Sequence, residues 1–221
     1  MPAEGALRDG GRAEFDLIET MRWEPGAGFL RFERHLERLY GSATALGFRY
    51  DPQRIGETLR NTIAHPETSW RVRLVLSPNG DVEASTQPYE QLPAHKVWQL
   101  RIARERLDSA DPLLRHKTSR REKYVSARSE FQIHHADEVI LLNERGEVCE
   151  GTITNVFVEC DDGILMTPAL FCGLLPGVLR GELLDEGRAG EVVLTADDLT
   201  DGRRIFVGNS LRGLIPARLG G

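Results

Sequence analysis

The stretch "DEVILLNERGEVCEGTITNVFVECDDGILMTP", residues 137–168, reads as a meander of strands. The runs "DEVILLN", "VCEGTITNVFVEC" and "ILMTP" are apolar and β-branched, and the intervening "ERGE" and "DDG" have turn composition. Glu150 interrupts the middle run, where an acidic residue is disfavoured. Alternation along that run puts Val148, Glu150, Thr152 and Thr154 on one face, with Cys149, Ile153, Asn155 and Phe157 on the other. A carboxylate flanked by hydroxyls suits a cationic ring nitrogen; a solvated strand face would carry the same residues.

Outward from this meander the elements mix. Downstream, "GLLPGVLRGELLDEG" is a glycine-rich loop running into a helix, and "RRIFVGNSLRGLIPA" reads as a strand leading into an irregular loop. Upstream, "AEFDLIETMRW" is strand-like and "EPGAG" reads as a hairpin turn. In "FLRFERHLERLYGSATALGF" Phe32, Leu36, Leu39, Tyr40, Ala43 and Leu46 form one apolar helical face. "DPQRIGETLRNTIAH" predicts a second helix behind an Asp-Pro start. A hairpin is expected around Pro78-Asn79-Gly80, then a strand at "HKVWQLRIARE" and a polar connector "RLDSADP". Ser119 and Glu122 have the spacing of a capping box, which starts a helix at about Arg120. The expectation is a mixed α and β (α+β) fold with a smaller N-terminal lobe over 1–107, including a tail at 1–12, and a C-terminal lobe over 108–221.

Composition narrows the function classes. The chain has 221 residues and a net charge of −6, with its basic residues dispersed, so a nucleic-acid partner is not expected. No apolar run reaches membrane-spanning length, and the N-terminus has no signal-peptide core. Cys149, Cys160 and Cys172 are odd in number and lack metal-ligand spacing; reduced thiols in a cytoplasmic protein without a metal are expected.

Positive charge comes overwhelmingly from arginine, and the only lysines are Lys96, Lys117 and Lys123. Lys117 sits among Arg115, Arg120 and Arg121 and, on the capping assignment, just before a helix N-terminus. A positive field lowers an ammonium pKa, the condition for a Schiff-base amine, although a solvated lysine is the commoner fate. Gly173 and Gly177 bracket a loop whose following amides, at Val178 and Leu179, suit a phosphate. Asn209 and Ser210 end a strand in small polar groups that also suit an anion. Arg38 lies opposite the apolar stripe of its helix, so periodicity predicts a solvated side chain.

Taken in order, the lysine, "EGTITNVF", "MTP" and "GLLPGVLR", with the upstream "LIET" and "RHLERL", closely resemble the signature of class IV pyridoxal-phosphate (PLP) enzymes over roughly residues 15–218. That family includes branched-chain and D-amino-acid aminotransferases and aminodeoxychorismate lyase. The resemblance implies a two-lobed fold-type IV enzyme and a homodimer. It implies that Lys117 holds PLP as a Schiff base and shuttles the proton, and that Glu150 pairs with the pyridinium nitrogen. Arg38, the amides of Val178 and Leu179, and the "VGNSL" loop with Asn209 and Ser210 would take the phosphate, with Thr154 supporting the ring. Glu19 and Thr20 match residues near the active-site mouth, and Arg73, Arg120 and Arg212 are candidates for substrate carboxylates. The family's usual N-terminal strand, its Asp-Arg-Gly and Gly-Asp-Gly segments, and the Asn-Tyr that often follows the lysine are not found at their usual places. "DSADPLLRHKTSRREKY" together with "NERGEVCEGTITNVFVE" is most similar to the lyase branch, which implies conversion of 4-amino-4-deoxychorismate to 4-aminobenzoate and pyruvate. Transamination uses the same parts, and a catalytically silent PLP-binding protein is the third reading.

Overall fold

The computed structural model describes residues 15–132, 135–200 and 202–220; the expected tail at 1–12 lies outside these. The chain divides into two compact units, residues 1–89 with 117–120, and residues 90–116 with 121–221.

In the first unit, β1 (Leu17–Glu24) turns into the short β2 (Gly28–Phe29), and β3 (Trp70–Leu76) pairs with β4 (Val82–Pro88). The antiparallel order is β2-β1-β3-β4. The expected turn at Pro78-Asn79-Gly80 is present, with Leu76 opposite Val82 and Gly80 at a φ of 88°. Helices α1 (Phe32–Leu46) and α2 (Pro52–Thr62) cover one face. Asp51 caps α2 by accepting from the amides of Gln53 and Arg54. Period-2 alternation sends Leu17, Met21, Val72, Leu74 and Leu76 into a core with Leu39, Ala43, Ile55 and Leu59. The predicted apolar face of α1 holds except at Tyr40, which is 56% exposed and packs its ring edge-on against Tyr50.

The second unit is an eight-stranded sheet in the order β10-β9-β8-β11-β12-β5-β6-β7. Its strands are β5 (Trp98–Leu107), β6 (Glu138–Asn143), β7 (Val148–Gly151), β8 (Asn155–Glu159), β9 (Leu165–Pro168), β10 (Ala189–Val192), β11 (Ile205–Asn209) and β12 (Gly213–Leu219). Both faces are buried along β6, β7 and most of β8. Leu100, Ile140, Leu142, Val156, Val158, Val207 and Ile215 line one side. Ala103, Val139 and Leu141 face the other, beneath α3 (Glu122–Ser129), and Phe157 packs beneath α4 (Val178–Asp185).

Four expectations are corrected. The junction does not fall near residue 107: β5 pairs in parallel with both β6 and β12 and so goes with the second unit. "GLIPARL" is a strand, not a loop, and it tolerates Pro216 at an exposed position opposite Phe206. The capping box does not form, because the Ser119 hydroxyl accepts from the Asp16 amide at 2.9 Å and α3 starts at Glu122. "VCEGTITNVFVEC" is two strands joined by a bend at residues 152–154, so its faces do not alternate throughout.

Candidate active site

The bend has a definite cause. Glu138, fully buried at the start of β6, accepts from the amides of Val139 (2.9 Å), Thr152 (3.0 Å) and Ile153 (3.1 Å). The Thr152 and Thr154 hydroxyls donate to it as well, at 2.5 and 2.8 Å. A Cβ at Gly151 would stand 2.4 Å from Thr154 Oγ1 and 2.8 Å from the Glu138 carboxyl carbon, so only glycine fits there.

Just before the bend, the register of β7 against β6 slips by one residue: Val148 lies opposite Leu142, but Glu150 lies opposite Leu141. A bulge of this kind re-aims side chains. Val148 joins the core of Leu142, while Glu150 turns to the α3 side and accepts from Tyr124 Oη at 2.7 Å. Burial, and then the charge of Glu150, raise the Tyr124 phenol far above its ordinary pKa, so it remains a donor. Arg121 lies over the Tyr124 ring, 4.7 Å from its centroid, and donates to the Thr152 carbonyl.

On the far side of the bend, Asn155 opens β8 opposite Gly208 of β11 and donates to the Leu175 carbonyl at 3.0 Å. A Cβ at Gly177 would come within 1.8 Å of Asn155 Oδ1, and one at Gly208 within 2.9 Å of Leu179. Glycine at both positions lets the N-terminus of α4 approach the ends of β8 and β11. Gly177 is the residue preceding α4, and the amides of Val178 and Leu179 lie in its first turn, where no intrahelical acceptor exists. Asn209 donates to the Ile153 carbonyl at 3.1 Å and accepts from the Arg212 amide at 3.0 Å, tying the turn that holds buried Ser210 to the bend. Arg212 lies over the Trp98 ring at 5.9 Å. The second unit thus gathers Glu150, Thr154, Val178, Leu179, Asn209, Ser210 and Arg212 around one bend.

The first unit carries the rest. Lys117 precedes a short antiparallel bridge of Thr118 to Leu17; its carbonyl accepts from the Ile18 amide at 2.8 Å, and Ser119 donates to the Asp16 carbonyl. This added edge on β1 fixes the Lys117 backbone. Lys117 does not precede a helix N-terminus as its spacing predicts, since α3 starts five residues later and in the other unit. Arg120 is exposed, its amide bonded to the Thr118 hydroxyl.

Arg38 is not solvated as periodicity predicts. Its side chain is 12% exposed and grips both carboxylate oxygens of Glu19, Nε to Oε1 at 2.9 Å and Nη2 to Oε2 at 2.6 Å. His35 Nδ1 adds a contact to Oε2 at 2.7 Å. Burial would raise the Glu19 pKa, but Arg38 and His35 more than offset it and hold the carboxyl at about 2. Thr20 alternates to the other face of β1, directly opposite Arg73 of β3.

A sequence profile described as "Amino-transferase class IV" matches residues 16–219. The chain belongs to the class IV aminotransferase family. Members of this family are PLP-dependent lyases and aminotransferases. The chain is 31% identical, over 90% of its length and 87% of the relative's, to a Schizosaccharomyces pombe protein named "Putative aminodeoxychorismate lyase". A Mesorhizobium loti structure titled "Putative amino-acid aminotransferase" is 64% identical, with a TM-score of 0.91 over 94% of this chain and 100% of that one. The Pseudomonas aeruginosa 4-amino-4-deoxychorismate lyase structure shares the fold, with a TM-score of 0.78 at 24% identity over 92% of this chain and 82% of that one.

The class IV cofactor suits the donor set of the second unit. It offers a carboxylate with a fixed phenol donor for a pyridinium nitrogen, and for a phosphate the first-turn amides of α4, whose Leu179 packs against Gly208, two residues before Ser210. Sequence pattern alone does not single out Tyr124 or Glu138. Tyr124 has a signal in its place, seven residues after Lys117; Glu138 has only its position heading an apolar strand. Among the described residues no helix is long and apolar enough to cross a membrane.

Proposed function

We propose that this chain is a PLP-dependent lyase that converts 4-amino-4-deoxychorismate to 4-aminobenzoate and pyruvate, acting as a cytoplasmic homodimer. The observation that supports this reading is the near full-length match to the S. pombe protein named "Putative aminodeoxychorismate lyase". In this reading Lys117 binds the cofactor covalently, and Glu150, steadied by Tyr124, keeps the ring nitrogen protonated. Arg38, the Val178 and Leu179 amides and Ser210 hold the phosphate. When bound, PLP supplies an electron sink for charge left at a carbon that loses a proton. The Lys117 amine, freed when substrate binds, takes the proton from the carbon bearing the substrate nitrogen. The ring C–O bond to the enolpyruvyl side chain would then break, leaving an aromatic ring, and the proton held by Lys117 would return to the departing enolpyruvate, which leaves as pyruvate.

A second reading, amino-acid transamination, is favoured by the 64% identical M. loti protein. It needs the same residues and differs in where the proton returns. Aminodeoxychorismate supplied without any 2-oxoacid separates the two. Sustained release of pyruvate supports the lyase; no turnover there, together with amino-group exchange between amino and oxo acids, supports the aminotransferase.

A further inference from the structure

We propose that Glu138 is the positioning residue of this site: by gathering the 152–154 bend, its carboxylate holds Glu150 and the phosphate-side loops in the register that binds PLP. The inference rests on the PLP reading above and names a residue with no role in it.

A fully buried carboxylate is costly, and an apolar side chain of similar size would serve packing alone at least as well. The donors recorded to Glu138 are instead three amides and two hydroxyls, four of them from the bend itself. Two amides and two hydroxyls of the bend donate to Glu138, while the Thr152 and Ile153 carbonyls accept from outside it. Arg121, which also lies over Tyr124, takes the Thr152 carbonyl, and Asn209, next to Ser210, takes that of Ile153. Glu150 stands two residues before the bend and Asn155 immediately after it, where Asn155 ties down the loop before α4. Glu150, Ser210 and the loop before α4 are therefore each tied, through the bend or a residue next to it, to one carboxylate.

The test is titration of apoprotein with PLP, read by absorbance, beside thermal melts of the apoproteins. Glu138→Gln keeps the shape but turns an N–H₂ toward donors; it is expected to weaken PLP binding about tenfold, the cost of one lost hydrogen bond to a charge. Thr154→Val, which removes one donor, is expected to weaken binding in the same direction and to shift the pH midpoint of the bound cofactor's visible band. Thr154→Ser restores the hydroxyl and should bring both to within about twofold of the wild type. If Glu138→Gln does not fold, the Thr154 pair decides. Wild-type protein that binds PLP, with variants that melt earlier yet bind it equally well, overturns the inference and leaves the PLP reading standing. Wild-type protein that does not bind PLP overturns both.

Discussion

Tyr124 Oη donates to Glu150 Oε1 at 2.7 Å, joining α3 to the carboxylate that the β7 bulge turns toward it. The phenol is held neutral by burial and by that carboxylate, so the bond persists across the working pH range. Tyr124→Phe removes a hydrogen bond to a charged acceptor, worth about 2 kcal/mol. Apoprotein carrying it should melt earlier and bind PLP more weakly, by roughly tenfold. Equal affinity in a PLP titration would remove Tyr124 from the site.

Glu19 makes the first unit acid-sensitive. Its carboxyl is held at about 2, against an ordinary value of 4.5, so the stability it contributes is complete above 4.5 and is lost as the pH falls through that window. The contribution is on the order of 3 kcal/mol. Glu19→Gln should lower the melting temperature at neutral pH and flatten its decline between those two values. An unchanged acid limb in pH-dependent melts would contradict this assignment.

Gly177→Ala places a Cβ within 1.8 Å of Asn155 Oδ1. Either the tie from Asn155 to Leu175 breaks or the start of α4 moves. A loss of about 1–3 kcal/mol is expected in chemical denaturation, from an overpacked contact. Weaker binding of inorganic phosphate should accompany it. Wild-type stability in Gly177→Ala would show that the close approach is not required.

Strand and helix positions were legible wherever periodicity was clean: β1, α1, α2, the Pro78-Asn79-Gly80 hairpin and the "DEVILLN" strand stand where the pattern puts them. The order of lysine, "EGTITNVF", "MTP" and "GLLPGVLR" carried the family. What periodicity could not carry was set by contacts distant in sequence. Glu138 folds the chain fourteen to sixteen residues later, and the β7 bulge turns Glu150 to the opposite side from Val148. Arg38 reads as solvated because its partner, Glu19, is on another element nineteen residues away. Asp16 draws Ser119 away from its helix, 103 residues apart in sequence.

The lysine assignment is the claim on which the chemistry rests, and three lysines make it sharply testable. Incubation with PLP, borohydride reduction and peptide mass spectrometry should place the phosphopyridoxyl group on Lys117 alone, with no incorporation in Lys117→Ala. Labelling at Lys96 or Lys123 in its stead, or none on the wild-type protein, would contradict the account.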